Sequence, residues 1–373
     1  MVRSITLFNF KAFKHQEILL RPLTLLAGPN GTGKSSVLQS MLLLRQSYQQ
    51  RVLATSEGFG LVLNGELTSL GTGRDVLFDS AEEDEIGFAL TFEKQEALWR
   101  FEYDRQADVL RFMSSSEVPR PIYADSLFGV SFHYLEAERV GPRTSFEMAD
   151  FMVRELRQMG TKGQFSVHFL HQNSSRNVLN SMHHPLGRSS ALVDQVNAWM
   201  GEVSPGAVVQ VEDYEEMDRM RLAFGFQRAD TAGVPRPFRS TNVGFGLTYT
   251  LPVLVALLSS PASALVLLEN PEAHVHPRGQ SQVGELIARA AAAGVQVIVE
   301  THSDHILNGV RVAVKRGLIN PKDVALQFFT RPAYDSESSG IEVISPRIDQ
   351  DGRLDSWPEG FFDEHSKNLR NLL

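Results

Sequence analysis

Two short stretches of the chain carry residues that suit phosphate chemistry. The first, GPNGTGKS at residues 28–35, fits the pattern G-x-x-x-x-G-K-[ST] between an apolar run and a helical pattern. In this setting the glycines let backbone N–H groups surround a phosphate, and the start of the helix adds positive potential. We expect Lys34 to reach the β- and γ-phosphates of a nucleotide and the Ser35 hydroxyl to bind Mg²⁺. The predicted nucleotide-binding residues of this stretch are Asn30, Gly31, Thr32, Gly33, Lys34, Ser35 and Ser36.

The second stretch, LVLLENPEAHVHP at residues 265–277, begins as an apolar strand and continues with carboxylates and histidines. A nucleotide site of this kind needs a second strand that ends in an acid, which completes the Mg²⁺ shell. Glu269 stands at that place. Ser35 and Glu269 are therefore the predicted metal ligands.

The histidines that follow the two strands suggest two different roles, metal binding and phosphate binding. Glu272, His274 and His276 follow one another at every second residue, a spacing that would suit zinc only if the segment is extended. His302 lies in VIVETHSD, directly after the next apolar strand. Ligands of parallel sheets bind at the carboxyl ends of the strands. We expect His302 to contact the γ-phosphate.

The elements that position these residues follow from the spacing of the apolar residues. In the first half, strand-like or helical patterns occur at 4–10, 17–20, 23–28, 35–48 and 84–113. Residues 84–113 alternate with the period of strands, which predicts an antiparallel sheet. Later helical patterns occur at 191–203, 279–292 and 303–315, and strand patterns at 207–226, 264–268, 295–299 and 324–329. The alternation after residue 247 is typical of a parallel sheet with crossover helices.

Composition narrows the class of protein. The 373 residues carry a formal net charge of −8 and include no cysteine. The charge argues against a globally basic nucleic-acid binder but leaves room for a local basic groove. The lack of cysteine excludes disulfides and thiolate metal sites. The sequence begins without the apolar region of a signal peptide and has no membrane-length apolar run, so we expect a cytoplasmic protein without a membrane partner.

Four pieces of the chain together resemble one family. They are ITLFNFKAF, GPNGTGKSSVLQ, LLENPEAHVHP and ETHSDHIL, in this order between residues 4 and 308. The set resembles ABC-class ATPase heads, in the branch that contains SMC and recombination/repair ATPases and the OLD-type phage-defence ATPases. The resemblance implies an α/β P-loop NTPase of the ABC-ATPase head type, with an N-terminal antiparallel β region and an inserted, mostly helical lobe. It also implies ATP and Mg²⁺ as cofactors, and a head-to-tail homodimer around two ATP molecules.

The ABC class has a signature loop that opens a helix and touches the ATP of the opposite subunit. Its matching place here is STNVGFGLTYTLPVLVALL, residues 240–258. The segment lacks the common Leu-Ser-Gly-Gly-Gln form, so the Ser role stays open between Ser240, Thr241 and Asn242. An ordinary Gly-rich helix start is the alternative. The residues predicted to contact ATP from this segment are Asn242, Gly244 and Gly246.

An asparagine occupies a place that decides the rate of hydrolysis. Most ABC-class ATPases carry a glutamate that polarises the attacking water directly after the Mg²⁺ acid, and here that place holds Asn270. An amide orients water but accepts no proton. Three interpretations follow: Glu272 acts as the base, hydrolysis is slow and ATP works as a clamp, or a bound partner completes the site. The predicted catalytic residues are Glu269, Asn270, Glu272 and His302.

The C-terminal part points to a subgroup. DSWPEGFFDE at residues 355–364 and YLEAERVGPR at 134–143 resemble a group of short bacterial AAA-family ATPases with a small uncharacterised C-terminal domain. We interpret the aromatic WPEGFF as a segment that packs the tail onto the body. The pair Asp349 and Asp351 fits a polar turn, so we expect no intrinsic nuclease activity.

The predicted organisation has four segments. They are an N-terminal ATPase lobe at 1–135, an inserted helical or mixed lobe at 136–240, a C-terminal ATPase lobe at 241–330, and a small extension at 331–373. The predicted function is a slowly hydrolysing ATPase that dimerises on ATP and switches an effector encoded by a neighbouring gene, in bacterial phage defence. The alternatives are a DNA-engaging repair or recombination ATPase, and a non-hydrolysing nucleotide-dependent scaffold.

Overall fold

The chain folds into two compact units. The computed structural model describes residues 1–53, 60–227, 233, 236–331 and 340–372, with the backbone alone for residues 364–366. The first unit comprises Met1–Gly129, Val324–Arg347 and Leu354–Leu373, and the second comprises Val130–Asp323 and Ile348–Arg353. The division into four segments that the sequence suggests stays a prediction.

The described residues form sixteen strands and eight α-helices. The strands are β1 (Val2–Phe10), β2 (Phe13–Leu19), β3 (Leu23–Ala27), β4 (Gly60–Val62), β5 (Glu85–Phe92), β6 (Glu96–Glu102), β7 (Val109–Arg111), β8 (Phe132–Leu135), β9 (Phe146–Glu147), β10 (Ala207–Tyr214), β11 (Arg219–Phe226), β12 (Phe238–Arg239), β13 (Leu265–Glu269), β14 (Gln296–Glu300), β15 (Val324–Thr330) and β16 (Glu342–Ile344). The helices are α1 (Lys34–Gln49), α2 (Gly73–Val76), α3 (Ser166–Gln172), α4 (Leu192–Val203), α5 (Phe245–Ser259), α6 (Pro277–Ala292), α7 (Asp304–Lys315) and α8 (Glu364–Leu372).

The first unit contains the predicted antiparallel sheet. Its four strands lie in the order β2-β1-β5-β6, and each neighbouring pair is antiparallel. The alternation of residues 84–113 is the cause, because every second side chain of β5 and β6 enters the core, with Phe88, Trp99 and Phe101 fully buried. The prediction of an antiparallel region near the N-terminus is confirmed.

A second set of strands in the first unit positions the glycine-rich stretch. β3 pairs in parallel with β15, which pairs antiparallel with β16. All five residues of β3 are buried, and burial of a leucine such as Leu25 or Leu26 contributes about 1.5–3 kcal/mol. α1 follows the stretch and buries its face of Val37, Leu38 and Met41. The stretch therefore connects a buried strand to a buried helix.

The second unit contains a parallel sheet. β13 lies between β14 and β8 and is parallel to both. The chain passes from β13 through α6 to β14, which is the strand–helix–strand unit that the alternation after residue 247 predicts. α5 is nearly all buried, although Pro252 lies inside it. The predicted α/β character of this part is confirmed.

The described residues between 136 and 240 add a small antiparallel sheet and two α-helices, α3 and α4. β11 pairs with β10, β9 and β12, all antiparallel. α4 packs on both β10 and α5, which joins this segment to the parallel sheet of the same unit. α4 matches the helix predicted at 191–203, except that it begins one residue later. Within the described chain, no helix is both long and apolar enough to cross a bilayer.

The C-terminal aromatic segment packs as expected. Phe361 is 1% exposed and meets the ring of Phe328 on β15 edge to face, with 5.1 Å between centroids. The packing role predicted for WPEGFF is confirmed at Phe361, whereas Trp357 is about half exposed. Asp349 accepts hydrogen bonds from the backbone N–H groups of Asp351 and Arg353, so the predicted polar turn is also confirmed.

Candidate functional site

The glycine-rich loop between β3 and α1 has a curled backbone that side chains would disrupt. Gly28 has φ 141°, and a Cβ there would lie 2.2 Å from the carbonyl oxygen of Phe329. Gly33 has φ 87°, and its Cβ would lie 2.5 Å from the Phe13 ring. Such φ values and contacts exclude side chains. The loop thus keeps the curled form that surrounds a phosphate in P-loop proteins.

Lys34 turns its ammonium group into this loop. Its Nζ donates to the carbonyl oxygens of Gly28 at 2.9 Å and Pro29 at 2.8 Å, and the residue is 3% exposed. Thr32 adds a bond from its hydroxyl to the same Pro29 carbonyl at 2.8 Å. The charge of Lys34 is therefore held within the curl, where phosphate oxygens would replace carbonyls as acceptors.

The start of α1 suits an anion. Gly33 is its N-cap; within the described residues no side chain caps this end, and the first turn holds no acidic residue. Such a terminus presents positive potential. Asn30 and Gly31 are exposed, while Ser35 and Ser36 lie in the first turn. All seven predicted loop residues are thus brought together.

Arg331 is a loop contact that the sequence did not indicate. It follows β15, and its Nη2 donates to the Gly31 carbonyl oxygen at 3.2 Å. The 300 residues between the two partners explain why a local pattern could not reveal it. The guanidinium adds a second positive group beside the loop.

In the second unit, Glu269 lies at the end of β13, as predicted. Its Oε1 accepts from the Tyr134 hydroxyl at 2.8 Å and its Oε2 from the Ala137 backbone N–H at 3.3 Å. Burial raises the pKa of Glu269, although both hydrogen bonds favour the ionised form. Burial also raises the pKa of Tyr134, so this hydroxyl stays a donor. The carboxylate is oriented before any metal binds.

Asn270 sits in a turn that few residues adopt. Its φ is 44°, in the left-handed region where asparagine is among the most tolerated non-glycine residues. Its backbone N–H donates to the Glu300 carbonyl at 2.8 Å. Its side-chain Oδ1 is buried without a hydrogen-bond partner among the residues described. The amide oxygen is thus an unused acceptor beside Glu269.

Glu272 and His302 meet in the same unit. The His302 backbone N–H donates to Glu272 Oε1 at 2.7 Å. The other oxygen, Oε2, is buried and has no partner in the part of the chain that the structure describes. Burial raises the pKa of Glu272, and the bond from His302 opposes the rise. The structure therefore brings two predicted catalytic residues into contact, with one carboxylate oxygen unused.

The arrangement for zinc does not form. Glu272 faces His302, the His274 ring packs against Phe245 and Tyr249, and His276 caps α6 with Nδ1. Among the described residues no group of three or more His, Asp or Glu is placed to hold a metal. The left-handed turn at His274, φ 63°, breaks the extended form that the zinc alternative requires.

Arg139 organises this cluster; it lies in the YLEAERVGPR stretch, but the sequence assigned it no role at the site. Its Nη1 donates to the Glu269 carbonyl at 2.7 Å and its Nη2 to the Asn270 carbonyl at 2.7 Å. Nε reaches the Tyr249 carbonyl at 3.1 Å, and Nη1 also reaches that of Glu136 at 3.1 Å. Burial lowers its pKa to about 10, against the charges of nearby carboxylates. Arg139 therefore stays charged at neutral pH and ties α5 to the turn after β13.

The predicted signature residues lie at the start of α5. Asn242 and Gly244 are exposed, whereas Ser240 is fully buried and donates to the Arg143 carbonyl at 2.6 Å. Gly246 lies inside the first turn of α5 rather than before it, and a Cβ there would be 2.3 Å from the His274 carbonyl oxygen. Of the three candidates for the Ser role, Ser240 is thus buried, and its hydroxyl already bonds within the protein.

Comparison with known proteins identifies parts of the chain. Residues 1–113 match the family described as "AAA ATPase domain", and residues 165–308 match "AAA domain, putative AbiEii toxin, Type IV TA system". Residues 319–372 match a family described as "Protein of unknown function (DUF3696)". No curated protein is significantly similar to the chain.

Solved SMC head structures share the fold. The SMC head bound to the C-winged helix domain of ScpA is 12% identical, with 94% of this chain and 98% of that chain covered and a TM-score of 0.52. The SMC head with an extended coiled coil, bound to the C-terminal domain of ScpA derived from Pyrococcus furiosus, is 13% identical. That comparison covers 100% of this chain and 99% of the other, with a TM-score of 0.51.

The findings support an AAA/ABC-type P-loop ATPase. At these identities the structural likeness establishes the fold, which is the predicted α/β ABC-ATPase head type. The two ATPase-domain matches cover the glycine-rich loop and the turn after β13. ATPases of this kind bind ATP with a metal, and the curled loop with its buried Lys34 fits a nucleoside triphosphate.

The buried carboxyl of Glu272 predicts a pH-dependent stability of the ATPase. A raised pKa means that the folded state binds more protons than the unfolded state between the ordinary value and the raised one. Stability is fully present below the ordinary pKa and is lost as the pH rises through the raised value. We expect the melting temperature of Glu272→Gln to exceed that of wild type by more at pH 8 than at pH 4.5.

A matched control is Glu216→Gln, which neutralises an exposed carboxyl in the same unit. Arg139 stays charged across this range, because its pKa is about 10. Melting curves of the three proteins from pH 4.5 to 8 measure the difference. An equal offset of Glu272→Gln from wild type at every pH would contradict the prediction.

Proposed function

We propose that the chain is an ABC-class ATPase that binds ATP, hydrolyses it slowly, and dimerises on ATP to switch a partner effector. The main structural support for slow hydrolysis is the turn at Asn270. It places an amide directly after the strand-end acid Glu269, and the amide oxygen is buried without a hydrogen-bond partner among the described residues. An amide there positions water but removes no proton. Slow turnover keeps the ATP-bound state long enough to act as a switch.

The proposal assigns ATP and Mg²⁺ to separate groups. Lys34 and the amides of the loop hold the phosphates, and Ser35 with Glu269 holds Mg²⁺, which spreads the charge of the phosphate oxygens when bound. Support comes from the curled glycines and from the orientation of Glu269 by Tyr134 and Ala137. His302, whose backbone N–H donates a hydrogen bond to Glu272, senses the γ-phosphate.

Dimerisation and a partner belong to the same proposal. Asn242 and Gly244 are exposed at the start of α5, which is a helix end able to meet a phosphate of a second copy. Gly246 completes the predicted signature inside the first turn. The SMC heads of similar fold are bound to ScpA in their solved structures, which supports a protein partner for this chain.

The biological setting is proposed from resemblance. The effector would be encoded by a neighbouring gene, and the role would be phage defence in the bacterial cytoplasm, without a membrane partner. The match of residues 165–308 to a domain described with a toxin–antitoxin system supports a defence role. The C-terminal match at 319–372 supports the subgroup suggested by the WPEGFF ending.

Restoring a carboxylate at the turn tests slow hydrolysis. We expect Asn270→Glu to raise the ATP turnover rate at least tenfold, because a positioned general base contributes about 10²–10⁴-fold. Turnover is measured as phosphate release under saturating ATP.

The control is Asn270→Gln, which matches Glu in size and in the cost of φ 44° but accepts no proton. If Asn270→Glu is no faster than Asn270→Gln, Asn270 does not limit hydrolysis. In that case Glu272→Gln decides whether Glu272 is the base, since a base loses most of its turnover on neutralisation. Wild type that dimerises on ATP without any turnover would favour the scaffold alternative.

A further inference from the structure

A basic pocket opens in the second unit, and none of its lining residues has been assigned a role above. It lies between the short π-helix Phe151–Glu155 and the end of α3, and its volume is about 640 Å³. We call it the arginine pocket. Its lining residues are Val153, Arg154, Arg157, Gln172, Asn173 and Arg176.

Only one of the three arginines is paired with a carboxylate in the part of the chain that the structure describes. Arg154 pairs with Asp150 at 2.7 Å. Arg157 and Arg176 form no ion pair within the described chain. Burial lowers the pKa of Arg176, and the like charge of the nearby Arg157 lowers it further. Unpaired, mutually repelling cations are unexpected in a chain of net charge −8.

Helix capping does not account for this charge. The C-terminal end of α3 carries about half a negative charge, which one cation would offset. Asn173 already donates from Nδ2 to the Phe169 carbonyl there, at 2.9 Å. After Asp150 and the helix end are counted, the lining keeps a net positive charge of more than one. A bound anion would remove the repulsion.

The side chains of the arginine pocket select among anions. Guanidinium forks match phosphate oxygens in pairs, and the exposed Gln172 amide adds donors. Phe151, on the same short helix as Arg154, is 65% exposed. Exposed aromatic rings next to arginines stack nucleobases. The combination fits a phosphate that carries a base.

We infer that the arginine pocket binds a phosphate ester, presented by a nucleotide or by a nucleic-acid strand. The pocket shares no residue with the glycine-rich loop, and its ligand is additional to ATP. Arg157 and Arg176 bind the phosphate, while Phe151 supports the base.

The test compares two double variants of the full chain. Arg157→Gln/Arg176→Gln removes the unpaired guanidinium groups. Arg219→Gln/Arg221→Gln removes two arginines of the same unit that are paired with Glu147 and Glu212. The first probe is a fluorescein-labelled 12-mer of thymidylate, followed by anisotropy at several salt concentrations. The second is inorganic pyrophosphate, titrated by calorimetry with Lys34→Ala present in every protein so that the loop does not contribute.

We expect the affinity of the pocket variant for at least one probe to fall by about tenfold or more, while the affinity of the control variant stays within twofold of the protein with an intact pocket. For the 12-mer, the slope of log affinity against log salt should fall by about 1.4, since two phosphate contacts are lost. ATP turnover should stay unchanged. Weaker binding of the 12-mer assigns the pocket to a nucleic-acid strand, and weaker binding of pyrophosphate alone assigns it to a small phosphate-bearing ligand such as a nucleotide.

Equal binding of both probes by the pocket variant and the control overturns the inference. So does a failure of both probes to bind protein whose arginine pocket is intact. Circular dichroism checks that the variants fold. If the double variant does not fold, the exposed Arg157→Gln alone decides, with Arg219→Gln as its control.

Discussion

We expect Lys34→Ala to lose ATP binding by about 100-fold or more, and to remain a monomer when ATP is added. The Lys34 ammonium is almost fully buried in the curl of the loop, where its acceptors are the Gly28 and Pro29 carbonyls. Phosphate oxygens are stronger acceptors, and each charge-assisted hydrogen bond contributes about 1.5–3 kcal/mol. Two such bonds account for the expected loss. Calorimetry measures ATP affinity, and light scattering measures the mass with and without ATP.

The control is Lys94→Ala, which removes an exposed lysine from the turn between β5 and β6. It should bind ATP and change mass as wild type does. Lys34 also bonds to carbonyls of its own loop, so its loss could unfold the protein. Thermal melting separates such unfolding from a defect in ATP binding. A folded Lys34→Ala with wild-type affinity would remove the loop from the proposed function. A folded variant that fails to bind but still dimerises would separate dimerisation from ATP.

The glycine-rich loop was predictable because its contacts are local. Lys34 bonds to carbonyls five and six residues before it, and Thr32 to one three residues before it. A pattern of eight residues therefore contains both the donors and the acceptors. The parallel strands of the second unit were also predictable, since predominantly apolar runs such as β13 and β14 are buried on both faces.

The turn after β13 shows where periodicity fails. Residues at every second position suggested one metal-binding side for Glu272, His274 and His276. Positive φ values at Asn270 and His274 interrupt the extended form, and Pro277 starts α6 with His276 as its cap. The three side chains then point to different neighbours. Local backbone geometry, which spacing alone does not encode, decided the outcome.

Arg139 escaped prediction for a different reason. Its acceptors in Tyr249, Glu269 and Asn270 lie 110, 130 and 131 residues away and are all backbone carbonyls. Backbone acceptors leave no residue type to recognise, so only the folded chain reveals them. The same argument applies to Arg331 and the Gly31 carbonyl. The sequence indicated the candidate ligand-binding groups more readily than the groups that hold them in place.

We expect Arg139→Met to lose about 3–5 kcal/mol of folding free energy, with a fall in melting temperature of about 10 °C. The substitution leaves the carbonyls of Glu136, Tyr249, Glu269 and Asn270 without this donor, in a site where Arg139 itself is 3% exposed. An unsatisfied buried acceptor costs about 1–3 kcal/mol, and such costs add incompletely. For a domain of this size each 1 kcal/mol lowers the melting temperature by about 2–4 °C.

Arg143→Met is the control, because Arg143 is exposed four residues further along the same loop and should melt near wild type. Arg139→Lys separates positioning from stability. It keeps the charge, but three donors on one nitrogen cannot span the carbonyls of Tyr249 and Asn270 as the guanidinium does. Well below its melting temperature, we expect this variant to bind ATP with wild-type affinity and to turn it over at least tenfold more slowly. Full turnover in Arg139→Lys would restrict Arg139 to a stabilising role, because the backbone of Asn270 would then need no guanidinium to hold its side chain in place.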